Sequence, residues 1–252
     1  MKLRQQYLTR NDCYKAGRRF APKGAFLHAT GADNPNVSRY VPGDEEMGVN
    51  TGGNHWNRPG LSKCVHGFIG KFADGSIGTV QTLPWDMRGW HAGKRAGNDG
   101  YIGVEICEDG LDDPVYFAQV YREAVELFAM LSLDFDWDPL KDGVILCHAE
   151  GYKRGIASNH GDVLHWFPRH GKSMDDFRAD VAREMEGVIA VSYEQFVEYM
   201  KRYEAEKAEQ PASDWARPGL EQAMKKGITD GSRPQSLATR QEVALMVNAA
   251  VK

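Results

Sequence analysis

Short apolar runs, most of them bounded by glycine, aspartate or proline, recur through the first two thirds of this chain and constrain its fold more than any other feature. Runs of this length and with these boundaries are typical of β-strands. Two of them are separated by Ala73-Asp74-Gly75, which favours a tight hairpin. The predicted strands are FLHAT at 26–30, VHGFIGKF at 65–72, SIGTVQTL at 76–83, YIGVEIC at 101–107 and GVILCH at 143–148.

Segments with helical periodicity lie between and after these strands. After a first helix that is described below, a second helix is predicted from about Ser173. A third is predicted from Ser192, where Gln195 completes a capping box. Strands interleaved with helices indicate an α/β layered domain. The first predicted helix runs from Pro114 to Leu131, and its apolar face consists of Phe117, Val120, Tyr121, Ala124, Leu127, Phe128 and Leu131.

Two further segments stand apart from this pattern. Residues 31–63 are rich in glycine, asparagine and proline and are predicted to form a long, functional loop. The composition changes near residue 205, and residues 211–252 are predicted to form a small helical unit. Within it we expect a helix from Ser213 to Lys226 and a second helix that opens at the Thr239–Glu242 capping box. So small a unit has a very small core of its own.

Composition excludes several classes of protein. The chain has 252 residues, a formal net charge of −4 and a sequence pI of about 6.1, so no broad basic character points to nucleic acid. No apolar run approaches the roughly 20 residues of a membrane span. The first residues, MKLRQQYLTR, lack the apolar core of a classical signal peptide, so we expect synthesis in the cytoplasm. The cysteines, which form no C-x-x-C pair, are therefore expected to be reduced: Cys13, Cys64, Cys107 and Cys147.

Histidines at strand ends are the first candidates for chemistry. His28 and His148 each end a predicted strand, and His160 and Asp162 follow in a loop. Zinc hydrolases take three such ligands and keep a fourth position for water. The alternative is that each histidine is an ordinary hydrogen-bonded residue, because the spacing lacks the compact H-E-x-x-H motif and cannot show that His28 and His148 meet.

Glu105 lies inside the apolar strand YIGVEIC, between Val104 and Ile106. A carboxylate in a buried strand is unfavourable unless it is paired, which points to a general base beside a metal. The alternative is an outward-facing residue on a strand with one solvated face.

Several motifs occur here in the order found in one family: YLTRNDCYKAGR at 7–18, LHAT at 27–30, GWHAG at 89–93, YIGVEIC at 101–107 and CHAEGYKRGIASNHGDVLHWF at 147–167. With the DGSI turn at 74–77 they cover about residues 1–200. The chain resembles the N-acetylmuramoyl-L-alanine amidases of the type-2 amidase group, which includes phage endolysins, bacterial autolysins and peptidoglycan recognition proteins.

The resemblance implies a mixed central β-sheet flanked by helices and an amidase domain over residues 1–205. It also implies one zinc ion, with His28 and His148 as two ligands and Asp162 as the third. His160 occupies a place where relatives often carry lysine. Whether His160 or Asp162 binds the metal stays open at this point.

The same resemblance assigns the remaining site residues. Glu105 matches the catalytic glutamate, and His160 would stabilise the oxyanion. Trp90 and His91 match a segment that lines the substrate groove, and His66 falls near a position that faces the metal. The implied reaction is hydrolysis, by zinc-activated water, of the bond between N-acetylmuramic acid and L-alanine of the peptidoglycan stem peptide, with lysis of the cell wall.

The C-terminal unit resembles a shortened S-layer-homology segment, carried by Trp215, the GITDG turn and the Thr239–Val243 stretch. This implies attachment to the cell wall or self-association into a homo-oligomer, and the alternative is a stabilising tail. The main competing function is a non-catalytic peptidoglycan-binding protein of the same fold. Another is an amidase that recycles free muropeptides, which needs no wall anchor. A phage endolysin and a host autolysin both fit the chain.

Overall fold

The structure is a computed structural model that describes residues 1–189 and 193–251. The chain divides into two compact units, Met1–Val188 and Ile189–Lys252. This division comes earlier in the chain than the predicted boundary near residue 205.

A mixed β-sheet forms the centre of the first unit, which confirms the predicted fold class. Its strands are β1 (Leu3–Gln5), β2 (Gly24–Asp33), β3 (Gly67–Lys71), β4 (Ile77–Gln81), β5 (Tyr101–Glu108) and β6 (Ile145–Cys147). The order across the sheet is β1-β4-β3-β5-β2-β6, and β3 pairs antiparallel with β4 while the other pairs are parallel. All five predicted strands are present, whereas β1 was not predicted from the sequence.

The register of three parallel strands positions the chemistry-bearing residues. Strand β2 lies between β5 and β6, with His28 aligned to Glu105 and Leu27 aligned to Cys147. His148 follows Cys147 and begins a helix, so it lies one residue beyond the strand that was predicted to end with it. Because the carboxyl ends of parallel strands meet at one edge, this edge is where a site is expected.

The helices flank the sheet or follow it in the chain. The second predicted helix is confirmed as the one starting at Met174, whereas the predicted start of the third at Ser192 lies outside the described residues. The described helices are α1 (Asp12–Ala16), α2 (Arg95–Asn98), α3 (Pro114–Asp134), α4 (His148–Lys153), α5 (Met174–Ile189), α6 (Tyr193–Glu209), α7 (Arg217–Lys225) and α8 (Arg240–Ala250).

Helix α3 supplies much of the core that supports the sheet. The Asp113 carboxylate caps its first turn by accepting hydrogen bonds from the backbone N–H groups of Val115 and Tyr116. All seven residues of the predicted apolar face are buried, as the periodicity indicated. Each large side chain among them stabilises the fold by about 1.5–3 kcal/mol through burial.

The β3–β4 hairpin closes as its sequence predicted. Gly75 adopts a φ of 80°, in the region that favours glycine, and the Asp74 carboxylate accepts a hydrogen bond from the backbone N–H of Ser76. The Phe72 N–H donates to the Ser76 carbonyl and closes the turn.

The prediction that all four cysteines are reduced is wrong for Cys13 and Cys64, which form a disulfide. The prediction rested on the expected compartment, and the distance of 51 residues along the chain gave no sign that the two meet. They meet because the Asn11 amide, next to α1, donates to the carbonyls of Trp56 and Lys63 and fastens the long loop there. Cys107 and Cys147 are free and buried, as predicted.

The second unit contains α6, α7 and α8. Helix α8 opens with the predicted Thr239–Glu242 capping box, while α7 begins at Arg217 rather than at Ser213. Neither α7 nor α8 has a buried residue, and large apolar side chains such as Trp215 are exposed. Among residues 1–189 and 193–251, no helix combines the length and the apolar composition needed to cross a bilayer.

We predict that replacing Cys13 and Cys64 together by serine lowers the free energy of unfolding by about 2–4 kcal/mol, because the disulfide closes a long loop in the unfolded chain. Urea unfolding of the variant and of the oxidised protein measures the difference. A reducing agent should lower the midpoint of the wild-type protein and leave that of the variant unchanged. Alkylation of all four cysteines in the denatured, unreduced protein would contradict the disulfide.

Candidate metal centre

Three side chains from distant parts of the chain meet at the carboxyl edge of the sheet. They are His28 from β2, His148 from the first turn of α4, and Asp162 from a 3₁₀ turn that follows. The Asp162 Oδ2 atom lies 3.0 Å from His28 Nδ1 and 3.2 Å from His148 Nδ1. The two Nδ1 atoms are 3.3 Å apart. The structure thus brings together the three residues predicted as metal ligands.

These donor atoms fit a single zinc ion. Ligand atoms held about 2.1 Å from a tetrahedral zinc lie about 3.4 Å from one another. The observed separations of 3.0, 3.2 and 3.3 Å are slightly shorter. Two imidazoles and one carboxylate also form a donor set typical of catalytic zinc, which keeps its fourth position for water.

Asp162 rather than His160 lies within the donor cluster. Its backbone has a φ of 42°, a left-handed conformation that aspartate tolerates better than most residues. Burial opposes ionisation of Asp162, but the contacts with His148 and His28 outweigh it and hold the pKa of this carboxyl well below its usual value. An ionised carboxylate is therefore available as a ligand.

His160 lies beside the cluster. Its ring stands edge-on to the His148 ring, with 4.6 Å between the centroids, and the residue is exposed at the mouth of the cavity. His160 thus belongs to the cavity wall and stands outside the donor cluster.

Glu105 lines the same cavity from the neighbouring strand. Its Oε2 atom is buried and has no hydrogen-bond partner, which is unusual unless a water or ligand completes the site. Burial raises the pKa of Glu105 to about 8, the nearby Asp162 charge adds to the effect, and Lys63 opposes it. The alternative of an outward-facing, solvated glutamate therefore does not describe this residue.

The cavity has a volume of about 250 Å³ and combines polar and aromatic walls. Trp56 and Trp90 form part of its apolar lining, and the amino group of Lys63 lies 4.6 Å from the centre of the Trp56 ring. The metal donors, Glu105 and His160 all face this cavity. A substrate with both apolar and hydrogen-bonding parts suits such a lining.

His66, predicted to face the metal and contact substrate, does not line the cavity. Its ring is completely buried, with Nε2 2.7 Å from the Met87 carbonyl and Nδ1 accepting from the Gly103 N–H. Burial lowers the pKa of His66 to about 4, so the ring is neutral. The residue joins β5 to the loop that follows β4 and has no ring nitrogen left for a ligand.

Trp90 and His91 both line the cavity, as the sequence predicted. Backbone hydrogen bonds in both directions between Trp90 and Cys64 hold the tryptophan beside the disulfide. The His91 ring also contacts a metal donor, because its Nδ1 lies 3.0 Å from His28 Nε2. This contact was not predicted.

Sequence reasoning missed Ser158 and Lys63. The Ser158 hydroxyl lies 3.0 Å from His148 Nε2, and Lys63 lines the cavity. Neither residue stands in a run with helical or strand periodicity, so no pattern in the sequence singled them out. The one available sign was that Ser158 precedes the His160–Asp162 loop by two residues.

The raised pKa of Glu105 predicts that the stability of the metal-free protein depends on pH. Its pKa rises from 4.5 when unfolded to about 8 when folded, so the folded state binds more protons between these values and loses stability as the pH rises. We expect Glu105→Gln to be more stable than wild type by at most about 5 kcal/mol at pH 8, with a much smaller difference at pH 4.5. Urea unfolding in the presence of a chelator at both pH values measures this.

The matched control is Glu45→Gln, which removes an exposed carboxylate. It should change stability little at either pH. An equal effect of Glu105→Gln at both pH values would contradict the buried, protonated state of Glu105.

Solved structures share this fold. Staphylococcus aureus hydrolase AmiA in complex with its ligand matches with a TM-score of 0.57 at 18% identity, over 77% of this chain and 87% of that one. The PlyG catalytic domain matches with a TM-score of 0.51 at 18% identity, over 73% and 96%. PlyL matches with a TM-score of 0.50 at 18% identity, over 72% and 97%. No curated protein sequence matches the chain.

The family comparison covers the whole site. The sequence profile described as N-acetylmuramoyl-L-alanine amidase matches residues 18–165, more than half of the chain. This range contains all three candidate metal donors, Glu105 and the cavity walls. The chain belongs to the N-acetylmuramoyl-L-alanine amidase family and is a hydrolase of bacterial peptidoglycan.

Proposed function

We propose that this amidase holds one zinc ion on His28, His148 and Asp162 and uses Glu105 as its general base. The observation that carries the proposal is the convergence of three donor atoms within 3.3 Å of one another beside a buried, unpartnered carboxyl oxygen. The bond cleaved joins the lactyl group of N-acetylmuramic acid to L-alanine of the stem peptide.

Each residue has a defined task. When bound, zinc supplies a Lewis acid that polarises the scissile carbonyl and lowers the pKa of water to about 7. Glu105 takes a proton from the attacking water at Oε2 and passes it to the leaving amine. Its raised pKa suits the second transfer, because a carboxyl poised near neutral pH can give the proton back.

The cavity walls position the substrate. His160 points an N–H donor towards the developing oxyanion, a contact typically worth about 3–4 kcal/mol. Trp90 offers an apolar surface to the sugar or the stem peptide, and Lys63 offers a cation to a peptide carboxylate.

A complete donor set favours an enzyme over a non-catalytic binding protein of the same fold. A protein that only binds peptidoglycan has no need for three converging donors or for a buried carboxyl with a raised pKa. Both features impose costs of desolvation that catalysis explains.

The second unit is proposed to attach the enzyme to the cell wall or to join copies into a homo-oligomer. Support comes from its exposed apolar side chains, among them Trp215 at 87% and Leu237 at 80% exposure. The disulfide fits an enzyme that works at the wall, because disulfides persist outside the reducing cytoplasm. Such wall-directed activity suits an endolysin or an autolysin better than a recycling enzyme.

We predict that the protein releases free N-terminal alanine from purified peptidoglycan without new reducing sugar ends. Glu105→Gln should lower kcat by about 10²–10⁴-fold, because it removes proton transfer, while zinc still binds. Mass spectrometry of the digest and zinc titration measure both effects. New reducing ends would indicate a glycosidase instead, and full activity of the variant would remove Glu105 from the mechanism.

Variants of the two residues in the 160–162 loop separate their roles. Asp162→Ala should lose zinc binding and activity together, because it removes a ligand. His160→Ala should keep its zinc and lower kcat by about 10²–10³-fold, because it removes only the oxyanion donor. Zinc content and kinetics of both variants give the answer. The opposite pattern would make His160 the ligand.

Deletion of residues 211–252 tests the second unit. We expect weaker sedimentation with purified cell walls or a smaller oligomer in light scattering, with kcat on soluble muropeptide fragments unchanged. Trp215→Ala in the full chain is the matched variant for the exposed surface. Unchanged wall binding and unchanged mass after the deletion would reject both proposed roles.

A further inference from the structure

The His91 ring bridges a metal donor and a backbone carbonyl. Its Nε2 lies 2.9 Å from the Tyr101 carbonyl oxygen, and its Nδ1 lies 3.0 Å from His28 Nε2. His28 presents its other nitrogen, Nδ1, to Asp162 and His148. Both imidazoles therefore use both of their ring nitrogens.

The Tyr101 carbonyl determines which atom is the donor in each of these hydrogen bonds. A carbonyl oxygen only accepts, so His91 Nε2 carries the proton and donates it to Tyr101. A neutral imidazole has one N–H and one bare nitrogen, and neither neighbour of the His91 ring is an anion that would favour the cation. His91 Nδ1 is then the acceptor and His28 Nε2 is the donor, so His28 Nδ1, which faces Asp162 and His148, is the nitrogen available to a metal ion.

The backbone around the His91 ring fixes its position. A Cβ atom at Gly103 would lie 2.4 Å from His91 Cγ, and one at Gly89 would lie 2.9 Å from His91 Cδ2. The ring thus lies in a notch that exists because both positions are glycine. The Asn98 side-chain oxygen accepts hydrogen bonds from the backbone N–H groups of His91 and Ala92 and holds the segment in place.

A second set of hydrogen bonds connects the same segment to His148, the other histidine ligand. His148 Nε2 lies 3.0 Å from the Ser158 hydroxyl, and that hydroxyl donates to the Ala92 carbonyl at 3.4 Å. The Ser158 N–H also donates to the Ala92 carbonyl, at 2.9 Å. With its proton directed to Ala92, the hydroxyl accepts from His148 Nε2–H, so His148 Nδ1 is the nitrogen available to a metal ion.

We propose that His91 and Ser158 are positioning residues that fix the tautomers of the two histidine ligands, so that both present a bare Nδ1 to the metal. The neighbouring residues His91 and Ala92 begin both sets of hydrogen bonds, one through the His91 ring and one through the Ala92 carbonyl. His91 therefore acts through His28, in addition to lining the cavity. This inference rests on the proposed zinc site.

Paired variants of His91 separate the hydrogen bond from the bulk of the ring. His91→Asn keeps an acceptor oxygen where Nδ1 stands, whereas His91→Gln places its amide group near Nε2 and offers His28 no acceptor at that point. Loss of a partner of this kind typically weakens metal binding by about 10–100-fold. We expect a loss of zinc affinity in this range for His91→Gln and a loss of about tenfold for Ser158→Ala. The zinc affinity of His91→Asn should stay close to that of wild type.

Zinc affinity is measured on the full chain by competition with a coloured chelator, and circular dichroism with thermal unfolding confirms that each variant is folded. His170→Gln is the matched control, because His170 is also a partly buried ring bonded to a carbonyl, that of Leu111, and it does not line the cavity. Its affinity should equal that of wild type. Gly103→Ala should reproduce the loss seen for His91→Gln, because it displaces the ring without removing it.

Nitrogen NMR of the metal-free full-length protein tests the tautomer directly, whether or not zinc binds. A proton on His28 Nε2 in wild type is the expected result, and an Nε2 without a proton would overturn the inference. Equal zinc affinity of wild type and His91→Gln would overturn it as well, as would equal losses for His91→Gln and His91→Asn. A wild-type protein that binds no zinc would instead overturn the proposed metal site.

Discussion

The pairing of β2 between two parallel neighbours is the constraint on which the site depends. This register aligns His28 with Glu105 and brings the end of β6 to the same level, so that His148 follows within one residue. A slip of one residue in either pairing would turn His28 or Glu105 to the opposite face of the sheet. The buried apolar residues of α3 and of the sheet hold that register, so the core specifies the chemistry as well as the fold.

Polar groups are buried together at the same edge of the sheet. Their burial costs free energy, which a bound cation would offset. His28 and His148 are buried, Asp162 is held ionised, and Glu105 keeps a buried oxygen without a partner. Burial and, after it, repulsion from Asp162 raise the pKa of Glu105 when no metal is present. A divalent cation among the donors would reverse part of that effect, because positive charge nearby favours the ionised carboxylate that a general base needs.

Much of this could be predicted from local sequence. Short apolar runs identified the strands, and the position of His28 and Glu105 within them marked the edge where a site could form. The Cys13–Cys64 disulfide could not be predicted, because it depends on how the 31–63 loop folds back on the domain. The burial of His66 could not be predicted either, because its ring is held by Met87 and Gly103, which are distant along the chain. Spacing along the chain carries no information about such contacts, and the expected compartment gave the wrong redox state.

These unpredicted contacts form one connected path to the metal donors. The disulfide anchors Cys64, Cys64 pairs with the backbone of Trp90, and the next residue, His91, contacts His28. Each step is a covalent bond or a hydrogen bond, so the order of the loop and the orientation of the imidazole are physically linked. The long loop therefore contributes to the metal centre by fixing the segment that orients its ligands, as well as by forming part of the cavity wall.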